Sequence, residues 1–250
     1  AEYKGFHLYS HGKLKYKPPA IIDAVFFTKG TYFGDYKTVL TNRSLNNLKI
    51  FGYPSIQYEL DKKDSTAQSL IAKIYLSPRK KFSFGTTLDF THSNIQDFGI
   101  GGSITQTIRN VFNRAETLEI GFRGNIGSSK DFANPDDAFF NVTEYGINLK
   151  LNFPRIFLPF NTDKIIPKRM IPYTQISSGF NKQRNIGLDK ENFTGLITYN
   201  WNPIRNNSVR VDLLNIQFVR NLNPDNYFNV YGSSYNALNK IAKNFNNNPS

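Results

Sequence analysis

Phe82-Ser83-Phe84-Gly85-Thr86-Thr87-Leu88-Asp89-Phe90-Thr91 is the stretch on which the reading of the fold turns. Phe82, Phe84, Thr86, Leu88 and Phe90 alternate with Ser83, Gly85, Thr87, Asp89 and Thr91. A period of two places the two sets on opposite sides of a β-strand. The same period recurs downstream. Phe98, Ile100, Ile104 and Ile108 stand against Gly99, Gly101, Ser103, Thr105, Thr107 and Arg109. Leu118, Ile120, Phe122 and Ile126 stand against Glu119, Gly121, Arg123 and Asn125. Tyr145, Ile147, Leu149, Leu151 and Phe153 oppose Glu144, Asn148, Lys150 and Asn152. Weaker patterns near 171–181, 192–202 and 208–220 bring the expected strands to seven.

These strands are long, roughly nine to eleven residues where strands of soluble domains usually have about five or six. Their connections are read as alternating in length: Asn110–Ala115 is short, whereas 127–138 is longer and polar. Outer-membrane barrels alternate in this way. The stretch 154–172 breaks the alternation; it is rich in proline, carries Lys168-Arg169, and reads as an elaborated turn. Periodicity alone does not separate a soluble sandwich, which buries its apolar face, from a membrane barrel, which turns that face to lipid. Strand length, glycine on the polar face and charged residues in mid-strand favour the barrel. Arg109, Glu119 and Arg123 are then expected to face its lumen, with Glu119 and Arg123 placed to pair across it.

Upstream of Ser77-Pro78-Arg79-Lys80-Lys81, a shift in composition, residues 1–77 read as a small α/β unit, with 1–14 as the tail of a preceding one. Ala20–Phe27 is expected to be a strand after Pro18-Pro19. Leu45, Leu48 and Phe51 lie three apart and predict a helix running from Tyr36 to an exit at Gly52, with Pro54 beyond. Ser55–Leu60 and Leu70–Leu76 are expected strands around the charged turn 61–65. The predicted order is strand, helix, strand, strand.

The 250 residues contain no cysteine, which excludes a disulfide scaffold and a thiolate metal site. No window of 18 apolar residues exists, so no transmembrane helix is expected. Phe, Tyr and 30 Asn dominate, a composition of strands joined by polar turns. The net charge of +12 admits nucleic acid, an anionic lipid surface or a polar interior lined by cations. Nucleic acid is disfavoured because the basic residues are scattered; the one dense run, 78–81, lies at the boundary. His7 and His11 are four apart, but their segment reads as strand and turn rather than as the helix such spacing needs, and His92 ends a strand. Gly99-Ile100-Gly101-Gly102 lacks the Lys-Ser/Thr and the helix of a phosphate loop. Asp136-Asp137 and Asp189-Lys190-Glu191 lack calcium-loop spacing. No nucleophile–base set stands out, so the chain reads as neither an enzyme nor a cofactor binder.

Thr41–Phe51 followed by Ser55-Ile56-Gln57-Tyr58 resembles the end of a POTRA domain. Ser93–Gly102 is similar to the opening hairpin of the BamA/TamA superfamily of outer-membrane insertases, and Arg109–Glu119 to its turn into the third strand. Phe153-Pro154-Arg155-Ile156, Pro167, Pro172 and Asn185–Asp189 resemble the Bacteroidota versions, nearest to the TamA-like lipoproteins (TamL) and next to BamA. The likeness runs from about Lys15 to Tyr231. It implies an outer-membrane location in a Gram-negative bacterium, a periplasmic POTRA domain, and partners among the lipid bilayer, nascent outer-membrane proteins and accessory assembly subunits. It also implies β-augmentation at the first barrel strand, with Phe82, Phe84, Thr86, Leu88 and Phe90 on the client-pairing edge, and a POTRA edge strand at Ile71, Lys73 and Tyr75.

Family members have several POTRA domains and sixteen strands. The family's Arg-Gly-Phe loop motif, closing strand and lipidated cysteine have no counterpart here. Seven strands leave two open edges, so the chain is expected to be a portion of a larger barrel. A channel or secretion pore without insertase activity, and a soluble β-sandwich binding module, remain competing readings. Residues 221–250 read as an extracellular loop, with a short amphipathic helix over Tyr235–Phe245.

Overall fold

The computed structural model describes residues 1–63, 69–92, 98–128, 140–160, 162–185, 188–204, 206–222 and 232–247. The expectations for 64–65, 93–97, 129–138 and 186–187 fall outside these residues. The protein is mainly β. After the short hairpin β1 (Glu2–Tyr3) and β2 (Phe6–His7) come helices α1 (Pro18–Ile22) and α2 (Asp35–Asn47), then the hairpin β3 (Ser55–Leu60) and β4 (Leu70–Tyr75). Seven long strands follow: β5 (Phe82–Thr91), β6 (Phe98–Arg109), β7 (Thr117–Ser128), β8 (Val142–Phe153), β9 (Tyr173–Asn185), β10 (Leu188–Trp201) and β11 (Val209–Asn221). They form one antiparallel meander in which each strand pairs with its sequence neighbours, from β5 at one edge to β11 at the other. A final helix, α3 (Gly232–Asn247), contains the helix expected at 235–245.

The N-terminal unit departs from its predicted order. Ala20–Phe27 is not a strand: Pro18 and Pro19 open α1, where their fixed φ suits the first helical turn. Ile21, Ile22 and Ala24 are buried there. The order is therefore helix, helix, strand, strand. Helix α2 ends at Asn47 rather than Gly52, because Lys49 adopts a left-handed backbone (φ 57°) and turns Ile50 and Phe51 into the core. Phe51 bridges Pro78, and the Arg79 N–H donates to the Ile50 carbonyl at 2.9 Å, so the boundary segment is tied to the unit it leaves. The core comprises Ile21, Ala24, Leu45, Leu48, Ile50 and Phe51 together with Ala115 from beyond β6, with Tyr16, Ile74 and Leu76 among the residues packed around it.

In the large sheet, register aligns side chains into rows. Thr86, Ile104, Phe122, Ile147, Phe180, Phe193 and Phe218 form one unbroken row across all seven strands. This apolar face is uncovered: Phe84, Phe90 and Phe218 are 70%, 69% and 61% exposed. Among the described residues no second sheet packs on it, as a sandwich requires. One row further from the N-terminal unit the face changes character, to Tyr145, Lys182, Glu191 and Arg220 on β8 to β11. Connection lengths do not alternate cleanly. β9 and β10 are two residues apart at the far end, whereas the longest described connection, 154–172, lies at the near end.

The polar face is knit by cross-strand bonds. Arg123 pairs with Glu144 at 3.0 Å and Lys150 with Glu119 at 3.7 Å. Glu119 and Arg123 thus share a face as expected but do not pair with each other; each finds a partner on β8, directly opposite or one step diagonal, because neighbouring strands bring charges closer than positions four apart on one strand. Arg109 sits at the near end, donating to Ser83 Oγ at 3.0 Å and to the Lys80 carbonyl at 3.1 Å. Gly146 makes room for the Arg123 side chain: a Cβ there would stand 3.5 Å from Arg123 Nε and 2.8 Å from the Phe180 carbonyl oxygen. At Gly179 a Cβ would crowd two side-chain atoms, Asn148 Oδ1 and Thr194 Oγ1, both at 2.8 Å, and would meet backbone only at ordinary contact distance, the Ile147 carbonyl oxygen at 3.8 Å. Gly146→Ala is therefore expected to cost about 1–3 kcal/mol and Gly179→Ala less, as read from thermal unfolding followed by circular dichroism.

Candidate functional site

Among the described residues strand β5 has a neighbour on one side only, β6. The Arg109 N–H donates to the Lys81 carbonyl at 2.8 Å, and these residues lie opposite each other in the register Phe82↔Ile108. In an antiparallel ladder, hydrogen-bonded pairs recur at every second residue. The odd-numbered residues of β5 therefore bond to β6. The N–H and C=O groups of Phe82, Phe84, Thr86, Leu88 and Phe90 point to the open side. These are the five residues singled out from the sequence. The residues whose side chains lie on the apolar face are thus also those whose backbone N–H and C=O groups point to the open side.

The second predicted edge has the opposite parity. In the β3–β4 hairpin the Asp61 N–H donates to the Ser69 carbonyl at 2.8 Å, which makes Ile71, Lys73 and Tyr75 the residues bonded to β3. The open-side groups of β4 belong to Leu70, Ala72 and Ile74. Ile71 and Tyr75 are exposed, while Ile74 packs on the core. Lys73 pairs with Glu59 at 2.6 Å, and that hydrogen bond holds its ammonium above the ordinary lysine range.

Two near-end connections join the sheet to the N-terminal unit. In the β6–β7 connection, Asn110, Asn113 and Ala115 all have left-handed backbones (φ 58°, 64° and 68°). For alanine this conformation costs roughly 1–2 kcal/mol. It is compensated by burial of Ala115 in the core of the N-terminal unit and by an Ala115 N–H bond to Asn110 Oδ1 at 3.1 Å. Asn110 Nδ2 donates to the Lys15 carbonyl at 2.8 Å, and the Lys17 N–H donates to the Asn113 carbonyl at 2.7 Å. Next to them Glu116 is fully buried. Arg155 Nη2, from the second connection, donates to Glu116 Oε1 at 2.7 Å, and the Arg114 N–H to Oε2 at 3.0 Å. Burial alone would raise this carboxyl's pKa. The Arg155 hydrogen bond, the backbone N–H donors and the guanidinium charge outweigh it, holding the carboxyl below the usual range. Further along, Lys168 bridges Asp23 at 2.8 Å and Asp163 at 3.9 Å, beside a cleft of about 570 Å³ lined by Phe6, Val25, Phe26 and Arg169.

The sequence reading missed this joint. Glu116 and Arg155 are 39 residues apart, and no spacing rule pairs them. Both segments, Arg109–Glu119 and Phe153–Ile156, stand out in the sequence, but nothing in it joins Glu116 to Arg155. Among the described residues no group of three His, Cys, Asp or Glu is placed to hold a metal ion. No protein-family model matches the chain, and no curated protein matches it.

Because folding depresses the Glu116 pKa, its contribution to stability is present above the ordinary carboxylate range and is lost as pH falls through the lowered value. Wild type is expected to lose stability on acidification below about pH 4 more steeply than Glu116→Gln, in denaturant titrations across that range. Arg155→Ala leaves the carboxylate buried and unpaired, with an expected cost of about 3–5 kcal/mol at neutral pH.

Proposed function

We propose that this chain forms part of an outer-membrane β-barrel whose β5 edge receives strands of nascent outer-membrane proteins, with the N-terminal unit as a POTRA domain on the periplasmic side. The observation that carries the reading is the coincidence at β5: five alternate residues supply the open backbone groups, and four of them, Phe82, Phe84, Leu88 and Phe90, also supply apolar side chains on one face. In hydrocarbon each unsatisfied backbone group costs several kcal/mol, so such an edge is driven to pair. Pairing through N–H and C=O makes little demand on client sequence, as a factor serving many clients requires. The uncovered apolar face and the ion-paired polar face fit lipid on one side and water on the other. The boundary of the apolar face also fits. Apolar side chains continue outward as Leu88, Phe90, Ile100 and Ile126 on β5 to β7, but give way one row earlier to Lys182, Glu191 and Arg220 on β9 to β11. Strands tilted by about 35–45° produce that step, because a level membrane plane crosses tilted rows diagonally.

Proline separates the two sides of the edge strand. Thr86→Pro removes a donor that points to the open side and leaves the β5–β6 ladder intact, whereas Thr87→Pro breaks the ladder itself. In cells, Thr86→Pro is expected to lower outer-membrane protein levels as depletion of the protein does, with the variant still folded and heat-modifiable on gels. Thr87→Pro is expected to lower the amount of folded protein. Unchanged levels of every barrel client on depletion would overturn the proposal and leave the channel reading.

A further inference from the structure

We infer that α3 is an interfacial helix that lies on the anionic headgroup layer at the end of the sheet far from the N-terminal unit. This rests on the membrane reading above and adds a second contact with the bilayer. Among the described side chains of α3, the apolar Leu238, Ile241 and Ala242 share one half of the circumference at helical spacing. Asn236, Asn239, Lys240 and Lys243 occupy the other half. Over the whole helix the sequence holds these two lysines and no Asp or Glu. Leu238 and Ile241 are 67% and 57% exposed, so the rest of the described chain does not cover them.

The position of the helix selects its occupant. Strand β11 runs away from the N-terminal unit and ends at Asn221, one residue past Arg220 in the row where the apolar face turns charged. Ten residues separate Asn221 from Gly232, a reach of up to about 33 Å. On the membrane reading β11 therefore ends at the level of the lipid headgroups, and the ten residues to Gly232 give the helix the reach to lie there. The sheet's polar face offers the apolar half nothing to bury against, since it is lined by Asn148, Lys150, Asn181 and Glu144. A surface that is apolar beneath and anionic at the headgroups complements both halves of α3. Each lysine near such a surface is worth about fivefold in partitioning, and the pair about 25-fold.

The absence of cysteine allows single-site labelling of the whole chain. An environment-sensitive fluorophore is attached to Leu238→Cys, Asn236→Cys or Phe122→Cys, the last on the apolar face of β7. The chain is reconstituted into phosphatidylcholine vesicles with or without phosphatidylglycerol, containing lipid-borne quenchers. The expected result is quenching at 122 in both lipids, quenching at 238 that is strong only with phosphatidylglycerol, and none at 236. Lys240→Glu with Lys243→Glu is expected to release the probe at 238 and leave 122 unchanged. Quenching at 122 with none at 238 overturns the α3 proposal alone. Equal quenching at 238 in both lipids, unmoved by the charge reversals, overturns the anionic contact. Loss of quenching at 122 overturns the membrane reading, and the α3 proposal with it.

Discussion

The buried Glu116–Arg155 pair is the constraint on which the arrangement of the two units rests. A carboxylate that is fully enclosed must be charged and bonded or else protonated, and here one guanidinium and nearby backbone N–H groups satisfy it. Arg155 also stacks over Phe153, and its carbonyl accepts from Thr174 Oγ1 at 2.8 Å, so the carboxylate is connected to the ends of both β8 and β9. Ala115, one residue before Glu116, is embedded in the core of the N-terminal unit. Two adjacent residues therefore fasten one connection in two directions, inward to the sheet and outward to the helical unit. Pairs of this kind add little net stability compared with apolar packing, but removing one partner is expensive. That asymmetry suits a joint whose task is to fix an orientation.

The alternating pattern was legible from the chain because every strand obeyed the same local rule. The alternation over Phe82–Thr91 matches β5 to within a residue, and on β5 to β8 the two faces follow from period two alone. Arg109, Glu119 and Arg123 were placed on the polar face for the same reason. Their partners were not legible. Whether Arg123 meets Glu119 or Glu144 depends on strand register, and register is set by tertiary pairing across connections of differing length. The misreading of Ala20–Phe27 has a different source. Its β-branched and aromatic content fits a strand, but Pro18-Pro19 start a helix and a one-sided core rewards five residues of it. The joint was least legible, because it is built from residues distant in sequence and from left-handed backbones at Asn110, Asn113 and Ala115, none of which is a glycine that would have marked the turn.

Parity gives the two hairpin edges different uses. On β4, Ile71, Lys73 and Tyr75 turn their side chains away from the core while their backbone groups are spent on β3. A partner pairing with β4 would therefore bond to Leu70, Ala72 and Ile74, one of which is already packed on the core. On β5 the open backbone groups and the apolar side chains belong to the same residues, and nothing among the described residues competes for them. An incoming strand thus meets fewer prior commitments at β5 than at β4.

Strand β5 is also held unevenly along its length. At the near end, Arg79 donates through Nε to the Phe51 carbonyl at 2.7 Å, and Arg109 reaches both the Lys80 carbonyl and Ser83. In mid-strand, Thr87 and Ser103 share a hydrogen bond of 2.7 Å. Beyond it the partners on β6 are largely glycine: Leu88 faces Gly102, Asp89 faces Gly101 and Thr91 faces Gly99. Cross-strand side-chain pairs supply much of a sheet's specific stability, and glycine supplies none. The ladder of β5 on β6 is therefore strongest where it leaves the joint and weakest at its far end. Strain applied to this edge would separate its far end first, with the near end held by Arg79 and Arg109.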